Sequence, residues 1–215
     1  MALLPITERA DEIIKLDLLG RLKKLNFRKR KNGFWRETLS TGPIQTKIVQ
    51  AIDVKVGGTM TNVEGVISAA VGVFYTDFLS ILTPWQKKAP SPVTAQDGHV
   101  KAPIGILGAW KNADHSWRVD GTTDDNVLAK ELADAVETFG LPYLEAASDL
   151  GKVANGEVVG ADPYIVVLAL QKLGKKDAAK AKIDEILAAN PGRYMEVASF
   201  AGRLKLPVPP RPAKA

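Results

Sequence analysis

The stretches "IQTKIVQAIDVKV" (residues 44–56) and "VEGVISAAVGVFY" (residues 63–75) decide the fold of this 215-residue chain. In each stretch, every second residue belongs to a mostly apolar set, and this alternation predicts two long β-strands. The link between them is too short for a crossover, so we expect an antiparallel pair. The opposite face of the second strand is small at Ser68, Ala70 and Gly72. That face therefore has room for a helix to lie close over it.

The residues before these strands predict a helix and a hairpin. Apolar residues recur every three or four positions from Ile6 to Leu25, which predicts a helix over residues 6–25. The next segment, "FRKRKNGFWRE" (residues 27–37), contains Asn32-Gly33 between two short stretches of strand character. This dipeptide is typical of a tight turn, because both residues tolerate positive φ.

The second half of the chain predicts short strands and then helices. "HVKAPIGIL" (99–107) and "SWRV" (116–119) are the remaining strand candidates. Farther along, Thr123 or Asp124 caps a helix that Gly140 ends. Asp162-Pro163 begins another helix, and Asn190-Pro191 ends a later one.

This order of elements predicts the α+β class. We expect an N-terminal helix, then a largely antiparallel sheet of about five to six strands, then C-terminal helices. We expect an α+β domain over residues 1–155 and a helical extension packed on it over residues 156–206. The last residues, 207–215, read as a proline-rich tail.

Composition excludes several kinds of site and compartment. The chain has no cysteine, which rules out disulfides, thiolate zinc sites and cysteine nucleophiles and fits a reducing compartment. No stretch approaches the ~20 apolar residues of a membrane span. The start, "MALLPITERADEII", lacks the basic and then apolar regions of a secretory signal. We therefore expect a cytoplasmic protein without a membrane partner.

The net charge of +5 comes from one part of the chain. From Arg21 to Arg36 there are eight basic residues and no acidic one, so the other 21 bases face 24 acids. A local concentration of bases is expected of a phosphate-binding patch, and a solvated helix end and turn give the same pattern.

The turn geometry decides how the bases of the hairpin are arranged. With a two-residue turn at Asn-Gly, Arg28 pairs with Glu37, and Arg30 lies over Trp35 in a cation–π contact. A three-residue loop instead places Arg28 opposite Arg36. The first register gains an ion pair, so we favour it.

In that register the strand period separates the bases into two faces. Three of them crowd at the tip with nothing to neutralise them, and they are the first candidates for binding an anion or a partner: Lys29, Lys31 and Arg36. The other candidates lie on the second face: Arg28, Arg30 and Trp35. For the four tryptophans, burial in the core is the default, with Trp35 as the exception.

Catalysis has one candidate stretch, in which Asp114 and Ser116 flank His115. The residue types of a hydrolase triad are present. In a strand His115 would face away from the other two, but this stretch looks like a loop, where that objection does not apply. Asn112 and Asp114 are ordinary turn residues, and no Gly-x-Ser-x-Gly elbow occurs. Metal-binding and phosphate-loop motifs are missing too. We therefore predict no catalytic residue, no metal and no cofactor, and a structural role for His115 and for the other histidine, His99.

Six short motifs occur in a shared order along the first 150 or so residues. They are "LLGRLKKLNFRKRKNGFWRE", "QTKIVQAIDV", "ISAAVGVFY", "IGILGAW", "SWRV" and "GLPYLE". Their order and spacing resemble the bacterial domain of unknown function 4304 family. This chain departs from that pattern at Asn26 and at Lys101-Ala102-Pro103. The resemblance implies a fold and a bacterial source, and it supplies no activity and no functional residues.

The segment "LALQKLGKKDAAKAKIDEILAANP" (168–191) resembles one tetratricopeptide-like helical hairpin. Helical repeats of this kind need about three copies to bury a core. We therefore interpret it as a helical pair packed on the preceding domain.

Two functions follow from these patterns. The first is a non-enzymatic protein-interaction domain, which the missing active-site motifs, the helical hairpin and the proline-rich tail favour. The alternative is a nucleic-acid-binding protein that uses the basic hairpin 27–37. An enzyme built on Asp114 and His115 is the least supported hypothesis.

Overall fold

The computed structural model describes residues 4–42, 44–58, 61–86, 88–112, 114–208 and 210–211. An antiparallel sheet of six strands forms its centre. Five strands are neighbours in chain order, and β6 pairs with β4 next to β5. The strands are β1 (Arg28–Arg30), β2 (Gly33–Leu39), β3 (Lys47–Gly57), β4 (Gly65–Tyr75), β5 (Val100–Pro103) and β6 (Trp117–Val119).

Helices precede the sheet, interrupt it and follow it, so the predicted α+β class is confirmed. They are α1 (Ile6–Leu16), α2 (Leu18–Lys24), α3 (Leu79–Leu82), α4 (Ile104–Leu107), α5 (Asp125–Ala135), α6 (Leu141–Ala147), α7 (Leu150–Ala154), α8 (Pro163–Lys172), α9 (Lys176–Ala189) and α10 (Tyr194–Arg203). Short 3₁₀ turns occupy Thr76–Phe78, Ala95–Asp97 and Pro191–Arg193. None of the helices in the described part of the chain combines the length and the apolar character needed to cross a bilayer.

The inner face of the sheet is the one that the helices cover. Ile52 of β3 is paired with Val71 of β4, and both are fully buried. Alternate residues along both strands join the same core, as the period-two pattern predicts. This core extends continuously into α8, α9 and α10, so buried residues on both sides of residue 155 pack together.

The outer face has a thinner cover. The loop between α3 and β5 lies over it and adds Val93 and Ala95 to a second, smaller cluster with Val49, Ala51 and Phe74. A Cβ on Gly72 would lie 2.6 Å from the carbonyl oxygen of Ala95, so the loop backbone touches the sheet. The short 3₁₀ turn there occupies the room that the small residues of β4 leave, as predicted.

Several predicted boundaries differ from the observed ones, among them the following three. The helix predicted over residues 6–25 is divided at Asp17, whose φ of −141° lies outside the helical range. The strand predicted over residues 99–107 ends at Pro103 and continues as α4. Gly140 does not end a helix, because α5 runs through a π-helical turn, Val136–Gly140, directly into α6.

Pro142 accounts for this π-helical turn. A proline inside a helix has no N–H for the carbonyl four residues earlier, and its ring crowds that carbonyl. A single π turn just before the proline relieves both problems. The helical capping predicted at Asp124 and at Asp162 is confirmed, since each carboxylate accepts backbone N–H groups of the helix that it begins.

Candidate partner-binding site

The hairpin forms, but its register differs from the favoured one. Arg28 pairs with Trp35, Lys29 with Phe34 and Arg30 with Gly33. The turn therefore consists of Lys31 and Asn32, and Lys31 takes a positive φ of 52°. Both predicted registers were wrong.

Long-range pairing explains this outcome. Gly33 is held in the ladder between β2 and β3, where it is the partner of Asp53, and the carbonyl of Asn32 accepts the N–H of Val54. These bonds take Gly33 out of the turn. The tertiary context thus overrides the local preference of Asn-Gly for the central turn positions.

The separation of the hairpin into two faces survives the change, because the observed register is shifted by two residues. Lys29, Phe34 and Arg36 lie on the inner side, as Phe34 pairs with buried Ile52. Arg28, Trp35 and Glu37 lie on the outer side. The prediction that Lys29, Lys31 and Arg36 form an unneutralised cluster is therefore wrong, since two of these three residues face the core side.

Lys29 and Arg36 are engaged within the fold. The ammonium group of Lys29 forms an ion pair with the carboxylate of Asp11 on α1. The guanidinium of Arg36 lies 4.5 Å from the ring centre of Phe27 and donates to the backbone carbonyl of Leu25 at 2.9 Å. Both bases hold the hairpin against the first two helices.

Arg36 also belongs to a polar network under the sheet. Its Nε donates to Oε1 of buried Gln50 at 2.7 Å, and Gln50 Nε2 donates to Ser148 Oγ at 2.8 Å. Ser148 Oγ donates in turn to the carbonyl of Leu144 at 2.6 Å. This chain of bonds connects the hairpin to α6 and satisfies polar groups that would be costly if left unpaired in the core.

The bases at the outer side and turn of the hairpin are open to solvent. Arg28, Arg30 and Lys31 are exposed. The guanidinium of Arg28 lies 5.1 Å from the ring centre of Trp35, which is half-buried against the outer cluster. The predicted stacking of an arginine on Trp35 occurs, with Arg28 in place of Arg30.

A groove runs along this outer face on both sides of Trp35. One cavity of about 530 Å³ lies toward the far end of β2, and a second of about 370 Å³ lies toward the hairpin turn. Both cavities are lined by Trp35, Pro92 and Val93. We call these two cavities together the outer groove.

The outer groove carries more positive than negative charge. Its charged lining residues are Arg30, Lys31, Lys47 and Lys55 against Glu37 and Asp53. Asp53 accepts the N–H of Ala95 at 2.9 Å, and burial raises the pKa of its carboxyl above the ordinary value of 3.8. Asp53 is thus engaged by the loop backbone, and bases outnumber acids among the lining residues of the groove.

The loop residues that form one wall of the groove were not among the predicted site residues. Ala89, Pro90 and Pro92 come from a stretch that reads only as a polar loop. Its two prolines were the one available signal, because they favour an extended backbone that lies flat on a sheet. The contact itself is between residues far apart in sequence.

The histidines have structural surroundings. Nδ1 of His99 accepts the N–H of Tyr75 at 3.1 Å, and burial lowers the pKa of His99 to about 4. Asp114 is exposed, and its N–H donates to Asn112 Oδ1 at 3.0 Å in the predicted turn. His115 stacks on Trp110, and within the described residues no hydrogen bond joins it to Asp114 or Ser116.

Two tryptophans are more exposed than predicted. Trp85 is 77 % exposed and Trp110 is 41 % exposed, whereas Trp117 is buried.

In the described part of the chain, no group of three or more histidine, aspartate or glutamate side chains is placed to hold a metal ion. No protein-family model, curated protein or solved structure matches this chain. The resemblance to the bacterial family named above therefore stays a prediction.

Proposed function

We propose that this chain is a protein-interaction domain that binds an extended, acidic segment of a partner protein in the outer groove. The observation that carries the proposal is the position of Trp35 between two cavities, with Arg28 over its ring. Tryptophan and arginine are the residue types that most often dominate the binding energy of protein interfaces. A half-buried Trp35 supplies such an anchor without a large rearrangement.

The shape of the groove favours an extended ligand. β1 pairs with β2 only from Gly33 to Trp35, and no other strand in the described residues pairs with that edge farther on. Residues Glu37, Thr38 and Leu39 are exposed there, next to the larger cavity. An uncovered strand edge offers N–H and C=O groups to an added strand, whose alternate side chains then enter the groove.

The charge of the groove favours an acidic partner. Arg30 and Lys31 line the cavity toward the hairpin turn, and Lys47 lines the larger cavity. Arg28 lies over Trp35, between the two cavities. Complementary charges across an interface speed association and select the partner. An acidic segment with apolar residues at alternate positions satisfies both the charge and the apolar lining.

Titration with labelled peptides tests this proposal. We expect a short peptide of alternating Glu and Val to bind, and a peptide of alternating Lys and Val to bind at least about tenfold more weakly. Trp35→Ala should weaken the Glu peptide by about tenfold or more, as expected for an anchor residue. Trp85→Ala is the matched control, since Trp85 is exposed and lines neither cavity. Equal binding of the two peptides, or an unchanged affinity in Trp35→Ala, would contradict the proposal.

Nucleic-acid binding by the hairpin is the second candidate. It is favoured by the three exposed basic residues Arg28, Arg30 and Lys31 beside the ring of Trp35. Nucleobases of single strands stack on aromatic rings, and neighbouring cations bind the phosphates. Lys29 and Arg36 no longer support it, since both are engaged in the fold.

A salt titration separates the two candidates. If the hairpin binds single-stranded DNA or RNA, affinity should be strongest near ~50 mM salt and fall steeply above it. Changing Arg28, Arg30 and Lys31 together to Ala should then flatten the salt dependence, and Lys29→Ala should leave it unchanged. Absence of binding at ~50 mM salt removes this candidate.

A further inference from the structure

A further cavity, of about 430 Å³, lies apart from the outer groove, between α5, the π-helical turn and the residues that lead into β6. Its size falls within the range of small-molecule sites. Four aromatic side chains line it: Trp110, His115, Trp117 and Phe139. It shares no lining residue with the outer groove, so it is independent of the function proposed above.

The rings are held in a fixed arrangement around Trp110. The imidazole of His115 stacks on Trp110 at 3.8 Å between ring centres. Trp117 and Phe139 meet the same indole edge-on, at 6.0 Å and 5.8 Å. Trp110 is nevertheless 41 % exposed, so part of an aromatic surface remains open to a ligand.

Local backbone features place these rings. A Cβ on Gly108 would lie 2.5 Å from Cε3 of Trp110, so the indole folds back over a position that only glycine allows. Phe139 lies within the π-helical turn Val136–Gly140. Such turns are frequent at functional sites, because they change the direction of a side chain without ending the helix.

Two carboxylates line the cavity, those of Glu131 and Asp134, and Glu131 forms no ion pair within the described residues. Arg21 is shared among Asp17, Asp134 and Glu137, so one base serves three carboxylates. Lys130 lies 3.4 Å from Asp134, and Lys111 follows Trp110 in the chain. Arg118, next to Trp117, is paired with Asp120 at 3.0 Å.

His115 adds an aromatic face without adding positive charge. Burial lowers the pKa of His115 below its ordinary value of 6.5, so the ring is neutral at neutral pH. Aromatic faces with carboxylates nearby form an environment that stabilises a positive charge and disfavours a negative one. Neither feature alone would select a ligand, but together they define one chemical class.

We propose that this aromatic cavity binds a small organic ammonium ion. The cation would lie in the cavity against the exposed part of the Trp110 indole, beside Trp117 and Phe139, with Glu131 at the mouth. This arrangement matches the way in which aromatic cages recognise quaternary ammonium groups.

Choline and its uncharged isostere neohexyl alcohol, in which carbon replaces nitrogen, are the probes. We expect choline to bind the full-length protein, and the alcohol to bind at least about tenfold more weakly, because only the cation is attracted to the ring faces. Isothermal calorimetry measures both affinities without relying on tryptophan as a reporter. Equal affinities would show a merely apolar cavity and would overturn the proposal, as would no choline binding.

Two variants locate the site. Trp110→Ala should reduce choline affinity by about tenfold or more, whereas Trp85→Ala should leave it unchanged. Since Trp110→Ala also removes packing from the cavity, Glu131→Gln provides a second test on an exposed residue. Glu131→Gln should lower the affinity for choline by about two- to fivefold. It should leave the affinity for the alcohol and the thermal unfolding midpoint unchanged. Choline binding that neither variant alters would place the ligand elsewhere and contradict this site.

Discussion

The two faces of the sheet use similar residues for different purposes. On the inner face, helices cover β2, β3 and β4, and even the bases Lys29 and Arg36 are tied to neighbours. On the outer face, one loop supplies the cover, and Arg28, Arg30 and Lys31 stay exposed. Basic residues that are adjacent in sequence therefore lie in different surroundings. The inner ones hold the fold together, and the outer ones are exposed to solvent.

The largest expected difference between the faces is at adjacent aromatic residues. Phe34 is fully buried under the helices, whereas Trp35 is half-buried under the loop. Phe34→Ala should lower the free energy of unfolding by about 3–5 kcal/mol. Trp35→Ala should cost less, because its site is already open to solvent. Urea unfolding of both variants measures the difference, and a greater loss in Trp35→Ala would reverse the assignment of the faces.

A smaller difference is expected between two arginines of the hairpin. Arg36→Ala leaves Oε1 of buried Gln50 without its donor, which should cost about 1–3 kcal/mol. Arg28→Ala removes only an exposed contact with Trp35, worth about 0.5–1 kcal/mol. Unfolding in urea would show this order. Arg28→Ala should in addition weaken the acidic peptide described above, and the opposite order of stabilities would mean that Arg36 is dispensable to the core.

Gly72→Ala tests the loop that covers the outer face of the sheet. The added methyl group would lie 2.6 Å from the carbonyl oxygen of Ala95, so the loop must move away from the sheet. We expect a loss near the lower end of about 1–3 kcal/mol, because a loop yields more easily than a helix. Hydrogen exchange should rise in residues 88–98 and stay unchanged in α1 and α5. A uniform rise would mean that the loop and the core unfold together.

The smallest expected effect is a pH dependence that comes from Asp53. Burial raises the pKa of this carboxyl above 3.8 in the folded protein, so between the two pKa values the folded state binds more protons than the unfolded state. The stability that it contributes is complete below the unfolded pKa and decreases as pH rises through the folded pKa. Asp53→Asn should remove this decrease. Unfolding free energies of both proteins from about pH 4 to about pH 7 measure it, and an identical slope would contradict the raised pKa.

Much of the fold could be predicted from the sequence, because the side chains of a strand alternate strictly between the two faces of the sheet. Alternation in residues 44–56 and 63–75 fixes which side chains face the helices, and the register of β3 and β4 follows it. The faces of the hairpin were predicted for the same reason, even though the turn was wrong. A shift of two residues exchanges cross-strand partners but keeps every side chain on its face.

The rest depends on contacts between distant residues. Asn32-Gly33 has a strong local preference, and the ladder with β3 overrides it through Asp53. The candidate site shows the same limit. The exposed bases could be named from composition, but the engagement of Lys29 by Asp11 leaves no local pattern. Pro90 and Pro92 indicate an extended loop without indicating that it forms a wall of the groove.

The π-helical turn before Pro142 has a consequence for how the long helix is read. An α-helix advances about 100° per residue, so the extra residue in this turn rotates everything after it relative to everything before. This rotation lets α5 pack against α1 and α2, while α6 packs against the sheet and buries Tyr143, Leu144 and Ala147. The buried faces of α5 and α6 are therefore rotated relative to each other by about 100°. Deleting one residue of the turn would remove this rotation and direct the apolar side of α6 into solvent.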